Sequence, residues 1–333
     1  MEKRIKALFH ESMLEGAKTL YDMDFGSLKL LGGFESFVYE YTKNNQSYIL
    51  KVTHSSHRTK DQIDSEFDFV NYLFLHGGRV SKPVLTRHGN YTHRIPLDDG
   101  YFTLSSTEKA VGNRPSDILN NKDLIDQYGQ TIGLFHHITM GYQPSFNIDK
   151  RFIWYEDPLI VECKKYLDES DLFVYDTLVS VMDQIKQIPM TVSNYGLIHT
   201  DIHRSNFLVD DKNQLTVFDF DDAAYFYFMS DIAIAIFYTV FFHPNRQAVS
   251  KDFIVSLMKG YIKKQPITKA DFMTLDLFFR LRMIILYVAL KRSTQKTDPF
   301  TEKYNSIYLD LIRHNQPFLD LDLDKLYDEI IQK

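Results

Sequence analysis

The sequence predicts an α+β fold in two lobes: a small N-terminal lobe with an antiparallel sheet and one main helix, then a larger, mostly helical lobe. Three observations carry this reading. Residues 28–52 read as short strands separated by Gly32-Gly33 and Asn44-Asn45-Gln46 turns. From Ser116 onward apolar residues recur mainly at helical spacing. One strand–loop–strand interruption, residues 196–222, gathers His, Asp and Asn side chains between apolar runs.

At 333 residues the chain is long enough for two lobes with a large core, and its 44% hydrophobic and 25% charged content is ordinary for a soluble protein. A net charge of −6 implies no broad basic surface, so no nucleic-acid partner is expected. With Cys163 as the single cysteine no internal disulfide can form, which fits a reducing compartment. Residues 1–21 are charged throughout and lack the apolar core of a signal peptide, and the apolar run 232–242 is too short to span a bilayer. The expectation is a cytoplasmic protein without a membrane partner.

Taken in order, Ile5, Leu8, Phe9, Met13, Leu14 and Leu20 predict a leading helix over 2–21. Strands follow at 28–31, 34–41 and 48–52, the second with Phe37, Tyr39 and Tyr41 on one face. Residues 61–75 form the main helix of this lobe, ended by His76-Gly77-Gly78. Short strand-like pieces occupy 80–104. The stretch 105–112 is polar and without periodicity, which places a hinge there and divides the chain into 1–107 and 108–333. Ser116 with Asp117 can cap a helix. Further helices are predicted over 128–139, 155–167 and 172–188, and after the interruption over 229–242, 249–262, 269–291, 301–314 and 322–331.

The interruption carries the chemistry. Its first piece runs Leu197-Ile198-His199-Thr200-Asp201-Ile202-His203-Arg204-Ser205-Asn206-Phe207-Leu208, and Val217-Phe218-Asp219-Phe220-Asp221-Asp222 answers it. Asp, Asn and a second Asp at strand ends suit a hard cation, because magnesium takes few protein oxygens and completes its shell with water and phosphate. That points to phosphoryl transfer, with Asp201 as base and Asn206 and Asp219 as metal ligands. The bland alternative is a hairpin with polar turn residues, which the second acidic strand end makes less attractive. His199 reads as a loop brace, whereas His203 either braces or touches substrate. A zinc hydrolase built on His199, His203 and Asp219 lacks the helical His-Glu-x-x-His spacing. Asp231, before an apolar helix, reads as a first-turn carboxylate with bonds back to the loop.

Upstream, Gly32 and Gly33 let backbone approach a nucleotide, or simply close a hairpin. Lys51, between Leu50 and Val52, needs a partner if its strand is buried; Glu66 on the next helix is the candidate, and the pair would hold phosphates. A solvated strand lysine is the plainer alternative.

These residues resemble the aminoglycoside phosphotransferase and choline kinase-like enzymes, a branch of the protein-kinase-like fold, with an overall look nearest its homoserine-kinase-like and stress-response-kinase-like members. His199-Thr200-Asp201-Ile202-His203-Arg204-Ser205-Asn206 is similar to that family's His-Gly-Asp-Leu-His-x-x-Asn loop, Phe218-Asp219-Phe220-Asp221-Asp222 to its Ile-Asp-Phe-(Asp/Gly)-Asp segment, and Ser230-Asp231-Ile232-Ala233 to its Asp-Leu-Ala. The resemblance implies a bilobal kinase fold, ATP or GTP with Mg²⁺, a nucleotide-binding first lobe, and a hydroxyl-bearing small molecule such as an aminoglycoside, amino alcohol, homoserine-like compound or sugar as acceptor. It carries Gly32, Gly33 and Ser36 onto the nucleotide loop, Lys51 and Glu66 onto the phosphate-holding pair, and Ser105 and Thr107 onto the adenine-facing hinge. Thr200 stands where the family has Gly, and Ser36 where it commonly has Asn. Other classes trail: a nucleotide-binding regulatory module with little turnover, or a Ser/Thr protein kinase, for which no Ala-Pro-Glu segment follows Asp219. In the C-terminal helices Asp276, Arg280, Arg282, Tyr287 and Glu302 carry no readable motif.

Overall fold

The computed structural model describes residues 3–33, 35–292 and 299–332. The chain divides into two units, one of residues 1–113, 142–151 and 216–221, the other of 114–141, 152–215 and 222–333.

The first unit begins with α1 (Lys3–Leu8) and α2 (Leu14–Leu20), joined by a 3-10 turn at Glu11–Met13. The predicted single helix is therefore broken. His10 is extended, and Phe9 stacks on Phe37 with ring centroids 4.1 Å apart. Next come β1 (Lys29–Gly32), β2 (Ser36–Lys43), β3 (Gln46–His54), α3 (Lys60–Leu75), β4 (Pro83–Val84), β5 (Thr92–Pro96) and β6 (Tyr101–Glu108). The antiparallel sheet has the order β1-β2-β3-β6-β4, with β5 also on β6. Of the polar stretch 105–112, residues 105–108 are the end of β6 and residues 109–112 follow it. Ser106 is tolerated inside because it finds a partner: its Oγ shares a 2.8 Å hydrogen bond with Tyr41 Oη. Alternation sorts β3 by face. Leu50 and Val52 are fully buried in a cluster with Ala17, Leu20, Tyr41, Phe102 and Leu104, which leaves Lys51 on the opposite face. α3 starts at a capping box in which Thr59 and Gln62 satisfy each other's backbone N–H groups.

The second unit opens with α4 (Lys122–Thr139), capped by Asn121 rather than by Ser116 or Asp117. The helix expected over 155–167 is instead a short α5 (Pro158–Val161) between two 3-10 turns, Trp154–Glu156 and Cys163–Tyr166. There follow α6 (Leu172–Lys186), β7 (Tyr195–Ile198), β8 (Phe207–Val209), β9 (Leu215–Val217), β10 (Ala224–Tyr227) and α7 (Phe228–Val240). The last helices are α8 (Arg246–Tyr261), α9 (Lys269–Phe272), α10 (Leu275–Arg292), α11 (Pro299–Arg313) and α12 (Leu323–Ile331). The two strands flanking the loop 199–206 do not pair with each other: β7 pairs with β10, and β8 with β9. α4 and α8 touch through glycines, since a Cβ on Gly129 would lie 1.9 Å from the Leu257 carbonyl oxygen. Among the described residues no helix is long and apolar enough to cross a membrane.

Candidate active site

In the first unit the chemistry gathers on the sheet face opposite the α1–α2 cluster. Lys51 Nζ meets Asp219 Oδ1 at 2.5 Å, with the two side chains 29% and 43% exposed. Sequence spacing pairs Lys51 with Glu66, but the direct partner is Asp219, which β9 delivers at its end in the left-handed backbone region (φ 67°). Glu66 is buried on α3 and acts through its field. Burial disfavours the Lys51 charge, yet Asp219, Glu66 and Asp221 together hold its pKa above the ordinary lysine value. Glu66 itself is pushed up to about 7 by burial, with Lys51 opposing.

Asp221, whose role the sequence left open, is engaged on every side. Its carboxylate accepts from His57 Nε2 at 2.8 Å and lies 3.5 Å from Arg58 Nε; its carbonyl oxygen accepts from Arg58 Nε at 3.2 Å and Arg151 Nη2 at 2.6 Å. Burial works against its charge, but His57, Arg58 and Lys51 outweigh it and hold the carboxyl well below the usual range. Arg151 also donates to the Gln62 carbonyl, so one buried guanidinium ties the segment after Asp219 to the start of α3.

The glycine turn sits in the same unit. Gly32 and Gly33 have φ of 123° and 132°, and a Cβ on Gly33 would fall 1.9 Å from the Ser36 carbonyl oxygen, so only glycine closes this turn. The Ser36 hydroxyl is 2.8 Å from Thr53 Oγ1. Ser105 pairs across the ladder with Lys51, and Thr107 with Ile49.

In the second unit the loop between β7 and β8 is built around Asp201. Asp231, in the first turn of α7 and 2% exposed, accepts from the backbone N–H groups of Thr200 (2.7 Å) and His199 (3.1 Å) and lies 3.2 Å from His136 Nε2. These bonds hold Thr200 at φ 61°, a conformation a β-branched residue adopts only under constraint, and its hydroxyl donates to the Asp222 carbonyl oxygen at 2.6 Å. The departure from glycine at this position is therefore compensated locally. His199 Nδ1 accepts from the Asp201 N–H at 3.2 Å, which is the bracing role its burial suggested.

Three side chains donate to the Asp201 carboxylate. Arg282 Nη2 reaches Oδ1 at 2.6 Å, and Asn206 Nδ2 reaches Oδ2 at 3.0 Å and the Asp201 carbonyl oxygen at 2.9 Å. His203 Nδ1 accepts from the Ser205 N–H, which leaves the ring proton on Nε2, 3.3 Å from Asp201 Oδ2. Burial alone would raise the Asp201 pKa; His203, Arg282 and the field of His199 overcome it and bring it to about 2. Asp201 is thus an ionised acceptor with room left, since a carboxylate offers about four lone-pair sites. Asn206 spends its amide nitrogen on Asp201, which leaves its oxygen as the group it can offer elsewhere.

Sequence reading named Arg282 without finding its role. The available signal was its place in α10 among the buried Leu281, Met283 and Ile284, because a cation in an apolar run needs a partner. Of the other unread residues, Arg280 pairs with Asp276 on its own helix, and Tyr287 donates to Asp171 at 2.7 Å.

Among the described residues no group of three or more His, Cys, Asp or Glu side chains is placed to hold a metal alone. Asn206 and Asp219 each carry an oxygen of the type that magnesium accepts.

Residues 27–261 match the phosphotransferase enzyme family. An amicoumacin kinase from Bacillus subtilis (strain 168) is 33% identical over 294 residues, 86% of this chain and 87% of that one. A solved structure of the amicoumacin kinase hAmiN in complex with AMP-PNP, Ca²⁺ and Ami superposes with a TM-score of 0.92 at 29% identity, covering 98% of this chain and 100% of that one. A microcompartment-associated aminopropanol kinase shares the fold, with a TM-score of 0.75 at 19% identity over 97% and 99% of the two chains. The chain belongs to the phosphotransferase enzyme family and is a small-molecule kinase with the kinase-like α+β fold.

Proposed function

We propose that the protein transfers the γ-phosphoryl group of ATP, with a divalent cation, to a hydroxyl of amicoumacin or of a small molecule much like it. The observation that carries this reading is the full-length likeness to amicoumacin kinase, 29% identical with a TM-score of 0.92. In this reading Asp201 accepts the hydroxyl proton. Its carboxylate is ionised and already oriented by Arg282, Asn206 and His203. The hydroxyl oxygen forms the new P–O bond, the bond from the γ-phosphorus to the bridging oxygen breaks, and ADP leaves with that electron pair. Lys51 holds phosphate oxygens, with Glu66 and Asp221 sustaining its charge. Asn206 and Asp219 would hold Mg²⁺, which neutralises phosphate charge when bound. The turn at Gly32 and Gly33, with Ser36, covers the phosphates, and β6 around Ser105 and Thr107 borders the adenine.

The test is a phosphotransfer screen with ATP, GTP and Mg²⁺ across amicoumacin A, aminoglycosides, choline, ethanolamine, aminopropanol and homoserine. Phosphorylated amicoumacin at a kcat/KM well above every other acceptor is the expected result. Turnover of an amino alcohol in preference to amicoumacin would overturn the acceptor assignment.

A further inference from the structure

We infer that Arg282 is a positioning residue for phosphoryl transfer, fixing the Asp201 carboxylate in the orientation that receives the acceptor proton. The inference rests on Asp201 being the proton acceptor.

Arg282 reaches Asp201 from α10, 81 residues further along the chain. It is itself fixed twice by α7: the nitrogen that meets Asp201 also donates to Tyr238 Oη at 2.6 Å, and the guanidinium lies over the Tyr238 ring with its carbon 4.8 Å from the centroid. The Tyr238 ring meets His203 edge-on at 4.7 Å, and His203 Nε2 returns to Asp201 Oδ2. Asp201, Arg282, Tyr238 and His203 therefore close a circuit over the loop, α7 and α10, so no member can rotate without breaking two contacts.

The contact pattern favours positioning over plain ion pairing. A structural arginine–carboxylate pair gains most from two parallel N–H···O bonds. Here Arg282 gives Asp201 one nitrogen, and its buried Nε–H has no hydrogen-bond partner among the described residues. The single bond fixes Oδ1 while leaving it a lone pair for a hydroxyl. Arg282 thus gives up the tighter fork and leaves a polar group unsatisfied, a combination that costs stability and suits function.

The experiment compares Arg282→Met, Arg282→Lys, Tyr238→Phe and Asp201→Asn, singly and with Arg282→Met combined with Asp201→Asn. ADP release is followed with amicoumacin A as acceptor, and with water alone. Arg282→Met is expected to lower kcat about 100-fold, the cost of misplacing a reacting group, while KM for ATP changes less than about threefold. Arg282→Lys recovers part of the loss, and so does guanidinium added to Arg282→Met. In the Asp201→Asn background Arg282→Met has no further effect. If Arg282→Met does not fold cooperatively, Arg282→Lys and Tyr238→Phe decide, each expected to lower kcat in a folded protein. Wild-type kcat in the folded Arg282 variants alongside an inactive Asp201→Asn overturns the inference. Wild-type kcat in Asp201→Asn itself would instead overturn the assignment of Asp201.

Discussion

Replacing Asp231 by Ala tests how the loop is held. One carboxylate on α7 accepts from two backbone N–H groups, those of Thr200 and His199, and meets His136. Alanine leaves these donors without their acceptor in a site where His199 is 2% exposed. Each unsatisfied buried donor costs about 1–3 kcal/mol, and breaking a buried network of this kind costs about 3–5 kcal/mol. For a unit of this size that is a fall in the unfolding midpoint of about 6–20 °C. The strained φ of Thr200 makes the effect local as well as global, because the same two bonds oppose its relaxation. The assay is thermal unfolding together with kcat at a temperature where the variant is folded. Asp231→Asn should fall between wild type and Asp231→Ala, since it keeps the shape but turns one acceptor into a donor facing an N–H. A midpoint within about 2 °C of wild type, with unchanged kcat, would refute the view that Asp231 organises this loop.

Gly129→Ala places a Cβ 1.9 Å from the Leu257 carbonyl oxygen, so backbone must move; a loss of about 3 kcal/mol in denaturant unfolding is expected, whereas Gly16→Ala, whose Cβ would meet nothing, should be neutral or slightly stabilising. Cys163 is fully buried and burial pushes its thiol up to about 11, so a thiol reagent at about pH 8 should label it only after unfolding; rapid labelling of the folded protein would contradict its placement. Glu66 binds its proton more tightly folded than unfolded, so its favourable contribution is complete below about pH 4.5 and is lost as pH rises through about 7. Wild type should therefore lose stability relative to Glu66→Gln between about pH 5 and about pH 8, and a pH-independent difference would show that Glu66 is not desolvated.

Local chemistry was legible in the sequence and long-range chemistry was not. Asp201, Asn206 and Asp219 stand in short patterns whose spacing points to a use, Lys51 reads as more than a solvated strand lysine only in their company, and Asp231 was readable because it follows the loop within one strand and one turn. Asp201 and Arg282 are 81 residues apart, and an arginine in an apolar helix announces only that it needs an anion, not which. Lys51 does feel the field of Glu66 on the next helix, but its direct ion pair is with Asp219, 168 residues further along, which no local pattern announces. Secondary structure failed where burial overrode periodicity. Ser105 and Ser106 read as polar and aperiodic rather than as strand because the sequence does not reveal that Tyr41 partners Ser106 within the sheet. The leading helix broke where Phe9 left it for Phe37, a packing choice no helical repeat records. The strands around the loop 199–206 pair with partners further along the chain, so the loop was legible as a loop although its sheet was not.

The most direct test of the central claim is phosphoryl transfer by Asp201→Asn, followed as labelled phosphate moving from ATP to amicoumacin A, with nucleotide affinity measured on the same sample. The account predicts a fall in kcat of about 10²–10⁴-fold, the usual contribution of a positioned proton acceptor, with ATP affinity within about threefold of wild type. Turnover at the wild-type rate by a folded, ATP-binding Asp201→Asn protein would contradict it.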